Sequence, residues 1–174
     1  MSKTQVLYQL PTKPIKGTFY RYIRTKYADE PLSMLGSQRN GGRYNVAGLF
    51  GALYLGFDRK TCEAEVSQGI AAGIDVLKKG AFTAWSYAIE LHAVVRLDGK
   101  SIQKQIGITQ ADLTIKGDHR TASGIGEHLH KRGDTEGLVA PSAQLKDGKC
   151  LDIFLDRKKE TSKVLPKRKL RTWP

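Results

Sequence analysis

A long alternation of apolar and polar residues constrains the fold of this chain more than any other feature. Within the stretch 82–97, every second side chain from Trp85 onward is apolar: Trp85, Tyr87, Ile89, Leu91, Ala93, Val95 and Leu97. A period of two is typical of a strand with one buried face. Asp98-Gly99 then predicts a turn. The chain is therefore expected to be built on a β-sheet around this strand.

Shorter patterns predict the other elements. Strands are expected at residues 18–25, 49–57, 137–140 and 150–155, where β-branched, aromatic or apolar residues cluster. Asp58 is a candidate N-cap of a helix that would run to about residue 77. Short helices are predicted at 110–113 and 125–131, while 1–17 and 29–40 are expected to be irregular and residues 43–44 extended. We therefore predict a mixed α+β fold.

Length and composition indicate one domain of a soluble protein. The chain has 174 residues, of which 40% are hydrophobic and 26% charged, which is ordinary for a globular protein. Apolar runs are shorter than the roughly 18 residues of a membrane span, and no signal-peptide pattern opens the chain. Cys62 and Cys150 have neither disulfide-framework nor metal-ligand spacing. We expect a cytoplasmic protein that uses no metal and contacts no membrane.

A formal net charge of +12 is compatible with three kinds of partner. These are nucleic acid, an acidic protein and an anionic cofactor. Lys and Arg are concentrated after residue 156, where a single glutamate accompanies them. Basic terminal segments of this kind are commonly solvated or disordered. The sequence therefore predicts a folded domain over residues 1–156 and a basic tail over 157–174.

The stretch 36–66 has the composition of a binding site. Its glycines allow a ligand to approach the backbone, its arginines suit phosphate, and a predicted strand and helix follow. Glu65 lies at the border of the helix's apolar stripe, whereas Glu63 falls opposite that stripe and is expected in solvent. Tyr54 is flanked by small residues and is either a core side chain or a ring stacked on a planar ligand. Arg21, between two apolar neighbours, is either solvent-exposed at a sheet edge or held in a cleft with an anion.

Familiar catalytic motifs are missing from the sequence. His128 and His130 point to different faces of a helix, and neither a nucleophile elbow, a Walker loop nor a Rossmann fingerprint occurs. The remaining set is Arg21, Arg43, Tyr54, Glu65 and Ser142. It suits cleavage of the bond between nicotinamide and ribose, where a carboxylate stabilises an oxocarbenium-like state and arginines bind a diphosphate.

At these residues the chain resembles a known family. The segments GGRYNVAG, LYLGF, TCEAEV and LVAPSA are similar to the RES domain, named for its Arg, Glu and Ser. The resemblance places these three residues at Arg43, Glu65 and Ser142 as catalytic residues. It also implies that Arg21, Tyr22, Arg43, Asn45 and Tyr54 contact the cofactor. Tyr44 stands where tryptophan is commoner, and the basic tail lies outside the pattern.

The resemblance carries expectations about fold, activity and partners. RES proteins are toxins of bacterial toxin–antitoxin pairs with a fold similar to that of ADP-ribosyltransferases. They consume NAD⁺ by hydrolysis or phosphorolysis, or transfer ADP-ribose to a protein. The expected partner is an antitoxin with an Xre-like helix-turn-helix region, in a complex that contains a toxin homodimer.

Two other functions remain open from the sequence. A basic nucleic-acid-binding module would use the tail and the Arg/Tyr-rich strands, and its binding would depend steeply on salt. The basic residues match no recognised nucleic-acid-binding motif, so direct binding is not expected. A catalytically silent scaffold that only binds an antitoxin is disfavoured by the presence of all five candidate residues.

Overall fold

A computed structural model describes residues 3–71 and 81–173 of the chain. Its helices are α1 (Lys3–Tyr8), α2 (Leu35–Asn40), α3 (Arg59–Ala71), α4 (Lys100–Gln105), α5 (Gln110–Thr114) and α6 (Arg120–Arg132). Its strands are β1 (Thr12–Arg24), β2 (Leu53–Gly56), β3 (Phe82–Arg96), β4 (Gly137–Pro141), β5 (Lys149–Ile153) and β6 (Lys163–Trp173). The predicted mixed α+β fold is confirmed. Within the described residues, no helix is long and apolar enough to cross a membrane.

The strand predicted from the alternation is β3, and it is the centre of the sheet. β1 runs antiparallel along it, from Thr12 opposite Val95 to Arg24 opposite Phe82. β6 pairs antiparallel with the first part of β3, and β4 runs parallel to its last three residues. Alternate side chains such as Tyr87 and Leu91 are fully buried, as a period of two predicts. The long strand therefore supports neighbours on both of its edges.

The strand pairings close a circuit of five strands. β4 pairs with β5, β5 with β2, β2 with β1 through Tyr20 and Gly56, and β1 returns to β3. One face of β2 and β5 is apolar and packs into a core that includes Leu55 and Leu151. Because side chains alternate along a strand, the opposite face carries Tyr54, Gly56 and Cys150. This second face forms part of the candidate site.

The basic C-terminal segment is not a disordered tail. Residues 163–173 form β6, which pairs with β3 from Lys163 opposite Glu90 to Trp173 opposite Phe82. Val164 is buried, and Trp173 packs against a cluster that includes Tyr22. Charge density suggested a solvated extension, but the segment pairs with the edge of β3 instead. The prediction for this segment was therefore wrong.

Other differences concern short elements. Residues 1–17, predicted to be irregular, contain α1 and the start of β1, and 29–40 contain α2. Residues 43–44 form a turn closed by a bridge between Gly42 and Asn45 instead of a strand. β2 covers only part of 49–57, and α4 was not predicted. Apart from β1, these helices and strands are four to six residues long. An apolar pattern needs a longer segment to be recognised in the sequence. The predicted end of α3 at residue 77 lies outside the described residues.

Candidate active site

A cleft of about 800 Å³ lies where β1, β2, α2 and α3 meet. Five of the seven residues singled out from the sequence line it: Arg21, Tyr22, Arg43, Tyr54 and Glu65. The other two, Asn45 and Ser142, lie behind its wall. A second cavity of about 220 Å³, between α1 and α6, contains none of them. The larger cleft is therefore the candidate active site.

The turn between β2 and α3 brings Glu65 to the cleft. Asp58 caps the helix as predicted, because its Oδ1 accepts a hydrogen bond from the Thr61 N–H at 2.7 Å. Gly56 lets the first turn of the helix lie directly against β2. A Cβ at this position would stand 3.0 Å from the Asp58 carbonyl oxygen and even closer to Cys62 Sγ. Glu65 consequently projects from the second turn of a capped helix packed on the sheet.

The two carboxylate oxygens of Glu65 have different surroundings. Oε1 accepts hydrogen bonds from Ser142 Oγ at 2.5 Å and from the Ala143 N–H at 3.0 Å. Cys150 Sγ lies 3.9 Å from the same oxygen. Oε2 accepts no hydrogen bond from the part of the chain that the structure describes. One oxygen is thus held in place while the other is available to a ligand in the cleft.

Ser142 holds Glu65 and has no remaining hydrogen-bonding capacity. Its hydroxyl donates to Glu65 and accepts from the N–H groups of Gln144 and Leu145, at 3.1 and 3.0 Å. One donor and two acceptor sites are all that a serine hydroxyl offers. Ser142 is also buried. This geometry favours a role for Ser142 in orienting Glu65.

Glu63 is not the solvated side chain expected from helical periodicity. Its Oε1 accepts a hydrogen bond from the Tyr22 hydroxyl at 2.6 Å. Arg59 Nη2 lies 4.0 Å from the same oxygen, one helical turn earlier. The prediction that Glu65 rather than Glu63 faces inward from the apolar stripe agrees with the cleft lining. Periodicity failed for Glu63 because its partner comes from a distant strand.

Arg43 lines the cleft and also holds one of its loops. Its Nη1 donates to the carbonyl oxygens of Leu113 and Ile115, at 3.2 and 2.8 Å. Within the described residues, its Nε and Nη2 groups make no hydrogen bond. The preceding Gly41 has φ of 73°, a backbone conformation that favours glycine. The glycine-rich turn thus presents an arginine that keeps part of its donor fork for a ligand.

The Arg21 side chain makes hydrogen bonds within the protein that the sequence did not indicate. Its two terminal nitrogens each donate to a backbone carbonyl oxygen, of Pro31 and Ser33, at 3.0 Å. Burial lowers the pKa of its guanidinium, and nearby Tyr87 opposes this effect. Tyr87 also donates to the Pro31 carbonyl oxygen. Arg21 therefore stabilises the loop before α2 and also lines the cleft.

Tyr54 and Asn45 form a pair behind the turn that carries Arg43 (residues 42–44, the arginine turn). The Tyr54 hydroxyl donates to Asn45 Oδ1 at 2.8 Å and accepts from the Tyr44 N–H at 3.0 Å. Both amide hydrogens of Asn45 are used by the carbonyl oxygens of Ser37 and Phe50. Tyr54 lines the cleft, but Asn45 is buried behind it. The geometry thus places Asn45 as a loop-holding residue and does not support direct contact with a cofactor.

Sequence reasoning missed two basic residues in the cleft. Lys116 and His119 reach it from the loop after α5, the same loop whose carbonyl at Ile115 binds Arg43. Burial and the charge of Arg43 lower the pKa of His119. The local signal was only a polar stretch between two short helices. No spacing relative to residues 36–66 indicated that this loop folds onto the arginine turn.

A buried carboxyl group lies in the sheet beside the cleft. Asp152 pairs across β2 with Tyr54 and across β4 with Leu138. It is 1% exposed, and neither of its oxygens has a hydrogen-bond partner among the residues that the structure describes. Burial raises its pKa well above the usual value, the charge of Glu65 adds to the rise, and Arg43 opposes it. Burial therefore favours the protonated form of the Asp152 carboxyl group over its ionised form.

Replacing Asp152 with asparagine is expected to remove a pH dependence of stability. A raised folded-state pKa means that the native state binds the proton more tightly, so stability falls as pH rises above the unfolded pKa of about 3.9. The slope for one proton is at most about 1.4 kcal/mol per pH unit. Urea unfolding at pH 5 to 8 measures the free energy of unfolding of both proteins. The value for the variant minus the value for wild type should increase with pH. A difference that stays constant over this pH range would contradict a raised pKa for Asp152.

The described residues contain no evident set of metal ligands. No group of three or more His, Cys, Asp or Glu side chains is arranged to hold an ion there. The carboxylates and thiols near the cleft are instead hydrogen-bonded to the protein or buried singly.

The fold and the cleft together define a mixed α+β protein whose candidate active site combines one available carboxylate oxygen with several cationic side chains. Comparison with known families identifies it further. The model of the RES domain matches residues 18–173, and the chain belongs to this family. The match includes β6, so the basic segment is part of the family's domain.

A solved structure has the same fold. A chain of the crystal structure of the M. tuberculosis MbcT–MbcA toxin–antitoxin complex aligns with a TM-score of 0.81. The alignment covers 97% of this chain and 91% of that chain, at 22% sequence identity. No curated protein matches the sequence.

Proposed function

We propose that this chain is the toxin of a bacterial toxin–antitoxin pair and cleaves the nicotinamide–ribose bond of NAD⁺. Membership of the RES family supports this proposal, as does the fold shared with a chain from a toxin–antitoxin complex. The observation that carries the catalytic part is the state of Glu65. Its Oε1 is fixed by Ser142 and Ala143, and its Oε2 is available in a cleft that also contains Arg43.

The proposed reaction breaks the bond between the ribose C1′ and the nicotinamide nitrogen. The electron pair of this bond goes to the nitrogen, so nicotinamide leaves as a neutral molecule and the ribose acquires oxocarbenium character. An anionic oxygen placed beside that centre stabilises the transition state more than the ground state. Glu65 Oε2 is the group that fits this role. The acceptor, water or phosphate, then forms the new bond to C1′.

The rest of the cleft suits the remainder of the dinucleotide. The Nε and Nη2 groups of Arg43 and the side chain of Lys116 form a basic side that fits a diphosphate, and the ring of His119 lines the same cleft. Tyr54 offers a planar ring for nicotinamide in the same cleft as Glu65. Its hydroxyl is already held by Asn45 and Tyr44, so the ring needs little reorganisation when it stacks on a ligand. Tyr22 completes the wall on the side of α3.

Replacing Ser142 with alanine is expected to lower kcat for NAD⁺ cleavage by about 10- to 100-fold. The variant loses a hydrogen bond to a charged carboxylate, which is typically worth about 1.5–3 kcal/mol. Glu65 Oε1 is then held by the Ala143 N–H without the serine hydroxyl, so the carboxylate is less firmly oriented. Because Ser142 does not touch the cleft, the KM for NAD⁺ should change much less. Steady-state kinetics measure both values. A large rise in KM at constant kcat would instead indicate a direct role in binding.

The partner in this proposal is an antitoxin with an Xre-like helix-turn-helix region, and the toxin acts as a homodimer within the complex in the cytoplasm. Transfer of ADP-ribose to a protein is an alternative use of the same site. It would share the bond-breaking step and differ only in the acceptor. Hydrolysis, phosphorolysis and protein transfer are therefore separated by their products.

The test is incubation of the purified protein with NAD⁺, with and without phosphate, followed by chromatography of the products. Nicotinamide with free ADP-ribose would identify a glycohydrolase. Nicotinamide with a phosphorylated ADP-ribose, formed only when phosphate is present, would identify a phosphorylase. If nicotinamide appears only when cell lysate is added, the acceptor is a protein. Absence of nicotinamide under all three conditions would contradict NAD⁺ cleavage.

A further inference from the structure

The wall of the cleft opposite the arginine turn contains a tyrosine that the protein holds from two sides. Tyr22 on β1 lines the cleft and is 7% exposed. Its hydroxyl donates to Glu63 Oε1 on α3 at 2.6 Å, which is within the range of a charge-assisted bond. Its ring and that of Trp173 of β6 pack in a T-shaped arrangement, with the ring centroids 5.7 Å apart and the planes at 75°. The ring therefore has a defined position in the absence of ligand.

Glu63 itself is stabilised in a conformation that allows this bond. Arg59, four residues earlier on the same helix, places its Nη2 4.0 Å from Oε1. Successive residues of a helix are about 100° apart, so Glu63 and Glu65 leave α3 in different directions. Glu65 turns toward Ser142, and Glu63 turns toward β1. The two carboxylates thus make contacts at different walls of one cleft.

We infer that Glu63 is a positioning residue, which fixes the Tyr22 ring as a wall of the cleft against which the substrate binds. α3 then provides two carboxylates with separate roles: Glu65 acts on the ribose, and Glu63 acts through Tyr22. This inference rests on the proposed function, because it assigns the wall to the NAD⁺ site. Burial of the ring and the hydrogen bond to Glu63 also raise the pKa of the Tyr22 hydroxyl, and nearby Arg59 opposes this rise.

The test is a double-mutant cycle on NAD⁺ cleavage with four proteins: wild type, Glu63→Ala, Tyr22→Phe and the double variant. Glu63→Ala is expected to lower kcat/KM about tenfold, mainly through KM, because the ring loses its fixed orientation. The double variant should be no worse than Tyr22→Phe alone, since Glu63 acts through the tyrosine hydroxyl. Glu63→Gln keeps an oxygen that accepts the hydroxyl proton and should retain most of the wild-type kcat/KM.

Control measurements separate this role from a loss of fold. Glu160→Gln, at an exposed position, should match wild type. Unfolding midpoints identify any variant that loses activity because it loses structure. If Glu63→Ala is such a variant, the kcat/KM values of Glu63→Gln and Tyr22→Phe are compared instead. Equal kcat/KM for wild type and Glu63→Ala, or losses that multiply in the double variant, would overturn the inference. A wild-type protein that releases no nicotinamide would overturn the proposed function, and the inference with it.

Discussion

Replacing Glu65 with glutamine is expected to lower the rate of nicotinamide release from NAD⁺ by about 10²- to 10³-fold, the loss typical of removing one electrostatic stabiliser of a transition state. Glutamine has nearly the same shape as glutamate. Its amide oxygen can still accept from Ser142 and Ala143, as Oε1 does now. At the position of Oε2, however, a neutral NH₂ group replaces the anionic oxygen. The variant should keep the fold and lose the charge that stabilises the ribose cation.

The measurement is the initial rate of nicotinamide release at saturating NAD⁺, together with the midpoint of thermal unfolding. Glu160→Gln makes the same chemical change at an exposed site and should leave both values unchanged. A Glu65→Gln variant that folds normally and cleaves NAD⁺ at the wild-type rate would remove Glu65 from the mechanism.

Replacing Gly126 with alanine is expected to destabilise the protein by about 3 kcal/mol or more and to disturb the active site at the same time. Gly126 is a buried residue of α6 that lies against the backbone of Tyr44. A Cβ there would stand 2.7 Å from the Tyr44 carbonyl carbon and closer still to its oxygen. Either α6 or the turn that carries Arg43 must move, because backbone atoms cannot rotate away. Overpacking against a rigid neighbour is among the more costly substitutions.

Gly124 offers a matched control on the same helix. Within the described part of the chain, a Cβ built at this position has no neighbour within 4 Å beyond the adjacent backbone of the helix. Alanine should therefore fit and stabilise the helix by up to about 1 kcal/mol. Denaturant unfolding of the two variants compares the same chemical change at two sites. Where Gly126→Ala still folds, a shift of the Arg43 turn by about 1 Å can reduce kcat/KM about 100-fold. Equal stabilities of the two variants would contradict the close packing of α6 on the turn.

Sequence patterns predicted those parts of the site that depend on local periodicity. The alternation around Tyr87 defined β3 to within one residue of its end. Asp58 at the start of α3 was recognised from the chemistry of helix caps, and Glu65 was separated from Glu63 as the inward carboxylate by its place beside the apolar stripe. Each of these conclusions needs only residues within about two helical turns or one strand.

Contacts between distant segments were beyond such patterns. The bond between Tyr22 and Glu63 joins residues 41 positions apart, and Arg43 binds a loop 70 to 72 positions later. The basic segment after residue 156 could be recognised as β6 only with the edge of β3 beside it. Asn45 is bound entirely to backbone and tyrosine groups of the folded loop, so a motif match alone suggested a ligand contact. In each case the role of the side chain depends on its partner in the folded protein. The sequence alone does not show which residue that partner is.

The intracellular concentration of NAD⁺ after induction of the chain in bacteria tests the central claim most directly. Cells that express the wild-type protein without an antitoxin should lose NAD⁺ before growth stops, and cells that express Glu65→Gln at the same level should keep both NAD⁺ and growth. Growth arrest at an unchanged NAD⁺ concentration, or arrest by the Glu65→Gln variant equal to that by wild type, would contradict an NAD⁺-consuming toxin.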